Sequence, residues 1–450
     1  MSKPKPTPQS QTLGTESIGK LLTQQAIPAS IGILMLSIYL IVDTIFVGRY
    51  VGPVGIAAIT VVMPITFLIS AIGMAVGVGG ASIISRALGA NDRPQALLTF
   101  GNMISLTLVM SFLIIGISVL YSEPLLRLFG ANGNILPYAQ SYFNILILGI
   151  PFLTLAMMSN PVIRAEGQAK MAMLTLLIPA FTNLILDPFL IAYLDWGIEG
   201  AAWATSFAYL LSGSYIIWYF VAGKRSELEL LVKNLKLRWS IIREITAIGG
   251  VTLARQGTIS LLTVVLNQSL FVYGGELAIA IYGIINRVMM FVNFPVMGIT
   301  QGFLPIAGFN YGAEKWQRVR KTIILSVAWG TGIATGLFIL VVLFATPLVQ
   351  VFTLDASLLE MGPPALVIAF LATPLITIQL VGAAYFQAIG KALPALLLTL
   401  TKQGFFLIPL ILLLPLELGL DGIWWAFPVA DCLSAAVTYW YLKREMKATL

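Results

Sequence analysis

Asp187 lies inside residues 176–193, a stretch apolar enough and long enough to cross a bilayer, and Asn183 sits one helical turn before it. A carboxylate in hydrocarbon costs several kcal/mol, roughly 2.5–3.5 on insertion scales. Such an acid faces the interior of a helix bundle, where it either bonds a neighbouring helix or performs a task. Pro188 follows directly and has no N–H for the carbonyl of Leu184, which leaves that oxygen free beside the acid. A carboxylate, an amide and a carbonyl are hard oxygen ligands, suited to Na+ or to a shared proton. A second acid, Asp43, occupies the first apolar run, with Tyr39 one turn away. Counting residues from the expected span ends puts Asp43, Asp187 and Thr205 at one depth in the outer half of the membrane, with Tyr39 and Asn183 one turn deeper. Two neighbouring carboxylates cannot both be charged without a cation between them. Na+ held by Asp43, Asn183, Asp187 and Thr205 answers this, and so does a proton on one acid. Taken singly, Tyr39 and Thr205 read as packing residues bonded back to the preceding turn; depth shared with two acids favours function. Pro28, about fifteen residues before Asp43, is the expected bend of the first span.

The elements that must position these residues are membrane helices. Of 450 residues, 58% are hydrophobic and 10% charged, and the mean hydropathy is +0.92. Such a chain is an all-α polytopic membrane protein. The net charge of +7 does not point to nucleic acid, because the basic residues lie almost wholly in loops. There is no histidine, so proton chemistry near neutral pH falls to carboxylates, and the single cysteine, Cys432, excludes an internal disulfide. No Walker A sequence, His/Cys cluster or Gly-x-Ser-x-Gly is present, so no enzyme and no cofactor is expected; an ion gradient, of H+ or Na+, must supply the energy.

Twelve spans fit, from about 21–48 to about 421–441. Residues 1–20 read as a cytoplasmic tail, 21–222 as a first lobe, 223–240 as a basic cytoplasmic linker, 241–442 as a second lobe and 443–450 as a second tail. With the N-terminus inside, nearly all of the 26 Lys and Arg fall in inside segments and the outside loops carry only Arg49 and Arg127. Both termini are therefore expected in the cytoplasm of a multi-pass protein of the cell (plasma or inner) membrane, in contact with its lipids. The halves repeat. At an offset of 223, Gly79, Gly89 and Ala90 fall on Gly302, Gly312 and Ala313, and Ala165, Gly167 and Ala169 on Ala388, Gly390 and Ala392. Six spans per half give both the same orientation, a parallel repeat of two six-helix lobes suited to alternating access.

The second half has its own polar set. Arg255, Arg287 and Asp431 lie near mid-membrane, Lys402 lies nearer the inner face, and Gln256 sits beside Arg255. Asp431 paired with Arg255 or Arg287 is the simplest arrangement, since buried charges need partners. The set is either a polar wall of a substrate cavity or a structural ion pair. Its surplus positive charge suits water access or an anionic or zwitterionic substrate group. Met289, with Met157, Met158, Met290 and Met297, could line an adaptable apolar pocket, although packing or lipid contact accounts for each alone.

Val42-Asp43-Thr-Ile-Phe-Val-Gly48, Arg164-Ala-Glu-Gly167 and Asn183-x3-Asp187-Pro188, with the repeat, resemble the multidrug and toxic compound extrusion family over residues 20–442. The resemblance implies export of organic, mostly cationic and amphipathic drugs or toxins in exchange for Na+ or H+, through two six-helix lobes arranged as a V. It implies a cation site at Tyr39, Asp43, Asn183, Asp187 and Thr205 and, in a debated proposal for the DinF-like branch, a protonation-driven bend at Pro28. The second-lobe carboxylates of the NorM-like branch are missing: the positions near Ile259 and Ile378 are apolar. This places the chain on the DinF/MepA-like side. A monomer is expected. A lipid-linked oligosaccharide flippase of the same superfamily is the alternative, kept open by Arg255, Arg287 and Lys402.

Overall fold

The computed structural model describes residues 9–223, 226–230 and 232–449. Among these residues it is helical throughout, with no strand. The helices are α1 (Ile18–Tyr50), α2 (Pro53–Gly89), α3 (Arg93–Leu120), α4 (Ser122–Leu128), α5 (Ile135–Ala165), α6 (Ala169–Asp187), α7 (Gly197–Ile217), α8 (Trp239–Gly312), α9 (Trp316–Leu343), α10 (Ala345–Gln350), α11 (Ala356–Phe370), α12 (Ile376–Ala388), α13 (Ala392–Leu400), α14 (Ile408–Leu413), α15 (Pro415–Leu418) and α16 (Leu420–Thr449). Ten helical stretches among the described residues are long and apolar enough to cross a membrane. One of them, α8, is 74 residues long and contains two spans meeting at Gly275, whose backbone is not helical. With α16, which carries Asp421 and Asp431 and is less apolar, the total is the twelve expected from the sequence.

The repeat is written into the backbone as well as the sequence. Positive φ angles recur at matched positions: Gly52 and Gly275, Asn91 and Glu314, Gly167 and Gly390, each pair 223 apart, and Gly197 and Gly419, 222 apart. Each pair marks the same turn between the same two spans of its half.

The described residues form two compact units: those from 9 to 13 and from 31 to 249, and those from 14 to 30 and from 250 to 449. The division falls elsewhere than the sequence-based boundaries at 21, 222 and 241, for a steric reason. The N-terminal end of each half's first span packs within the other unit. In the first unit Gly249 lies against Ala75, and Gly79 against Ile245, so closely that a Cβ at either glycine would overlap a backbone carbonyl. The second unit repeats this contact, with Gly302 against Gln25 and Ala26 and Gly298 against Ala26 and Ser30. Small residues let the backbones approach. Helix α1 runs unbroken through Pro28, and its change of unit falls two residues beyond that proline.

The segment joining the halves is bound to the first unit. Glu166, 1% exposed, caps the end of α5 and accepts four hydrogen bonds: from Ser226 Oγ (2.6 Å), Tyr219 Oη (3.0 Å), and the N–H groups of Glu227 (2.6 Å) and Leu228 (3.1 Å). Asn102 Oδ1 accepts from the Arg238 N–H at 2.6 Å, and Ser105 donates to the Leu235 carbonyl at 2.7 Å. The matching position in the second half is Ile389, which has no carboxylate.

Burial pushes the Glu166 carboxyl up to about 7, against the opposing pull of its hydrogen bonds from Ser226, Tyr219 and Glu227. The folded protein therefore holds a proton on Glu166 that the unfolded chain releases near the ordinary value of 4.5. The resulting stabilisation is complete below that value and is lost as pH rises through about 7. The melting temperature of the wild type should accordingly fall relative to that of Glu166→Gln between about pH 5 and about pH 8. A gap that stays constant across this range would refute the assignment.

Candidate cation site

The first unit holds a cavity of about 160 Å³ between α1, α2, α5, α6 and α7. Tyr39 and Asp43 reach it from α1, Thr66 and Ser70 from α2, Tyr142 from α5, and Thr205 and Tyr209 from α7. Asp43 is 6% exposed and Asp187 1% exposed, so both acids are out of contact with lipid. Asn183 is buried beside the cavity. Its amide oxygen accepts from Thr205 Oγ1 at 3.5 Å, and its amide nitrogen donates to the Pro179 carbonyl at 3.2 Å. The fixed amide thus points its oxygen toward α7.

The five residues expected from the sequence are brought together. Asp43 and Asp187 lie within Coulombic reach of each other, and both act on Tyr39 and Tyr142. Neither Asp187 oxygen has a hydrogen-bond partner among the described residues, and neither does Oδ1 of Asp43. A buried acid oxygen is costly unless something binds it. The arrangement can take up a small cation or a proton.

Helix α6 ends at Asp187 and passes into a π-helical turn, Pro188–Tyr193, in which Leu194 N–H bonds the Phe189 carbonyl at 2.9 Å. The effect of Pro188 is therefore wider than one free carbonyl at Leu184: the hydrogen-bond ladder shifts to i+5 just beyond the acid. π-Turns of this kind occur often at functional positions.

Tyr142 and Tyr209 are site residues that sequence reasoning missed. Tyr142 lies within hydrogen-bonding reach of Thr205, and Tyr209 of Tyr39. A signal existed: counted from the N-terminal ends of α5 and α7, Tyr142 shares the level of Thr205, and Tyr209 lies a turn further along, with Tyr39.

The second-half residues do not join this site; they belong to the second unit. The expected pairing of Asp431 with Arg255 or Arg287 is corrected: Asp431 Oδ1 binds Lys402 Nζ at 2.6 Å. The eleventh span packs directly on α16, and its π-helical segment Thr401–Leu407 presents Lys402 to that helix. Arg287 is exposed and lies over the Phe352 ring at 5.9 Å. Gln256 is half-buried, and Met289 packs against the apolar core of the second unit. Pro28 is buried in the second unit, apart from the acids.

The family model described as MatE matches residues 28–189 and again 252–413, once in each half. The chain is 29% identical over 419 residues to the multidrug export protein MepA of Staphylococcus haemolyticus (strain JCSC1435), covering 93% of this chain and 92% of that protein. It is 27% identical over 442 residues to a protein of Shewanella oneidensis named FAD transporter, covering 96% of each. A crystal structure of a MATE in complex with MaD3S shares the fold, with a TM-score of 0.93 over 99% of both chains at 24% identity.

Proposed function

The chain belongs to the MatE family of membrane transporters, and from that premise we propose that it is a secondary active antiporter exporting cationic, amphipathic drugs or toxins in exchange for H+ or Na+. The observation that carries this reading is a pair of buried acids, Asp43 lining a cavity and Asp187 within Coulombic reach of it, with three carboxylate oxygens unpartnered among the described residues. Asp43, Asp187, Asn183, Tyr39 and Thr205 carry the coupling ion. The rings of Tyr39, Tyr142 and Tyr209 offer a cationic substrate π-faces beside the same acids. One set of negative charges thus serves ion and cargo in turn. Antiport requires that the two favour opposite conformations, since a ligand shifts an equilibrium only by its differential affinity. The protein works as a monomer in the cell membrane with both termini in the cytoplasm.

Family membership fixes transport rather than cargo, since MepA and the FAD transporter are relatives at nearly equal identity. The test is transport of a cationic dye in proteoliposomes under a proton gradient alone and a sodium gradient alone. One of the two gradients should drive uphill dye movement and the other should not. Movement under neither would sink the antiporter reading.

A further inference from the structure

Helix α3 leaves only its second half bare. Between residues 108 and 120 every exposed side chain is apolar, Phe112 at 65% and Leu120 at 77% exposure among them. Between residues 96 and 107 none is exposed. The linker packs on that first half and is fixed there through its backbone. Asn102 Nδ2 donates to the Asn234 carbonyl at 3.3 Å, Asn102 Oδ1 accepts from the Arg238 N–H at 2.6 Å, and Ser105 Oγ donates to the Leu235 carbonyl at 2.7 Å. A Cβ on Gly101 would overlap the Asn234 carbonyl, so the two backbones touch.

These contacts set the depth of the linker. Tyr121, Ser122 and Glu123 follow α3 and place one hydrocarbon boundary near Leu120. Ser105 is fifteen residues before Leu120, about 22 Å at 1.5 Å per residue, and Asn102 is about 27 Å before it. A hydrocarbon layer about 30 Å thick therefore has its other boundary at the linker. Irregular backbone at that level needs its polar groups satisfied, and the Asn102 and Ser105 side chains supply this. The side chains that the linker turns outward suit the same level. Val232 is 83% exposed and Trp239 76%, and Leu237 is also exposed; in water, three such groups within eight residues would be an unpartnered apolar patch. Lys233, Lys236 and Arg238 are interspersed among them and exposed. The acids nearby are engaged elsewhere, Glu229 with Arg93 at 3.1 Å and Glu244 with Arg86 at 2.8 Å. The three basic side chains have no ion-pair partner among the described residues. Long basic side chains at a hydrocarbon edge extend to the headgroups while their stems lie on apolar surface.

We propose that residues 232–239 form a binding surface for anionic phospholipid: Val232, Leu237 and Trp239 enter the acyl region, and Lys233, Lys236 and Arg238 hold the headgroup phosphates. The surface is independent of the cargo. The topology proposed above assigns it to the cytoplasmic leaflet, where anionic lipids gather.

Trp239 is its own reporter. In nanodiscs made from equal parts of phosphatidylglycerol and phosphatidylcholine, bromine is placed on the acyl chains of one lipid or of the other, and the fluorescence quenching of the full-length protein is compared. Nine tryptophans emit, so the part that Trp239→Phe removes is taken as that of Trp239. By this measure phosphatidylglycerol should be enriched about fivefold beside Trp239, the factor supplied by one basic residue at an anionic surface. The enrichment should vanish in the triple variant Lys233→Gln, Lys236→Gln, Arg238→Gln, and should fall in the wild type at high salt, a condition that needs no substitution. Lys224, Arg225 and Arg243 stay in the triple variant and keep the charge bias of the loop, so topology is not the quantity tested. Equal quenching by the two lipids in the wild type overturns the proposal, as does enrichment undiminished in the triple variant or at high salt. No quenching of Trp239 by either lipid would put the linker in water and overturn it too. Both leaflets of a nanodisc are alike, so a reversed topology leaves these results unchanged, and the exporter reading stands or falls separately.

Discussion

Asp187→Asn and Asp43→Asn are expected to abolish gradient-driven efflux while leaving a folded protein, and Asp187→Asn to melt no lower than the wild type. Asparagine keeps the shape of aspartate and removes the charge. Both Asp187 oxygens lack a hydrogen-bond partner among the described residues, so the substitution breaks no contact that holds the helices together. It also relieves the repulsion between Asp43 and Asp187. A charged ligand lost from a buried cation site weakens ion binding by about 100-fold, or about 2.7 kcal/mol, and in the exchange proposed here differential ion binding drives the cycle. Stability and transport should therefore move in opposite directions. An acid with a purely structural role would show the reverse: a lower melting temperature with transport retained. Dye efflux from proteoliposomes and thermal melting of the same preparations check both halves of the expectation. Wild-type transport in both variants would end the assignment.

The acids were legible because a carboxylate within an apolar run is rare and expensive, and counting residues from span ends places each one on a vertical scale. The same counting would have found Tyr142 and Tyr209, but tyrosine is unremarkable in a membrane helix and carries no such penalty to flag it. Depth alone failed at Asp431. Arg255, Arg287 and Lys402 all lie at workable levels, and only knowledge of which helices adjoin selects Lys402. The repeat was legible from small residues at one offset, because a positive-φ turn (Gly167, Gly390) and a close helix contact (Gly79, Gly302) each demand a narrow choice of residues; Asn91 and Glu314 show that a positive-φ turn is not limited to glycine. What sequence periodicity could not reveal is that α1 and α8 change units along their length. A helix reads as one object in sequence whichever bundle its two ends pack in.

That exchange leads to the second large effect. Gly249→Ala and Gly79→Ala are expected to destabilise the protein by about 3 kcal/mol, at the upper end of overpacking costs, and to reduce its yield. In each case the added methyl would overlap a carbonyl oxygen of a facing helix, Ala75 for Gly249 and Ile245 for Gly79. A side chain can rotate away, but a carbonyl in a helical ladder moves only with its whole helix. The repeat supplies a graded comparison. Ala26 occupies in the second unit the place that Gly249 holds in the first, and the facing residues there, Gly298 and Gly302, correspond to Ala75 and Gly79. Alanine at Gly302 would meet Gln25 Cβ at 2.9 Å and Ala26 N at 3.0 Å, a lesser intrusion. The order of damage should therefore be Gly249→Ala and Gly79→Ala above Gly302→Ala. Gly332→Ala serves as the control: it lies within α9 with nothing within 4 Å of its added methyl, and should be neutral or slightly stabilising through helix propensity. Melting temperatures of the four variants decide the matter. Gly249→Ala melting with Gly332→Ala would mean that the two backbones do not meet where the N-terminal end of α8 crosses α2.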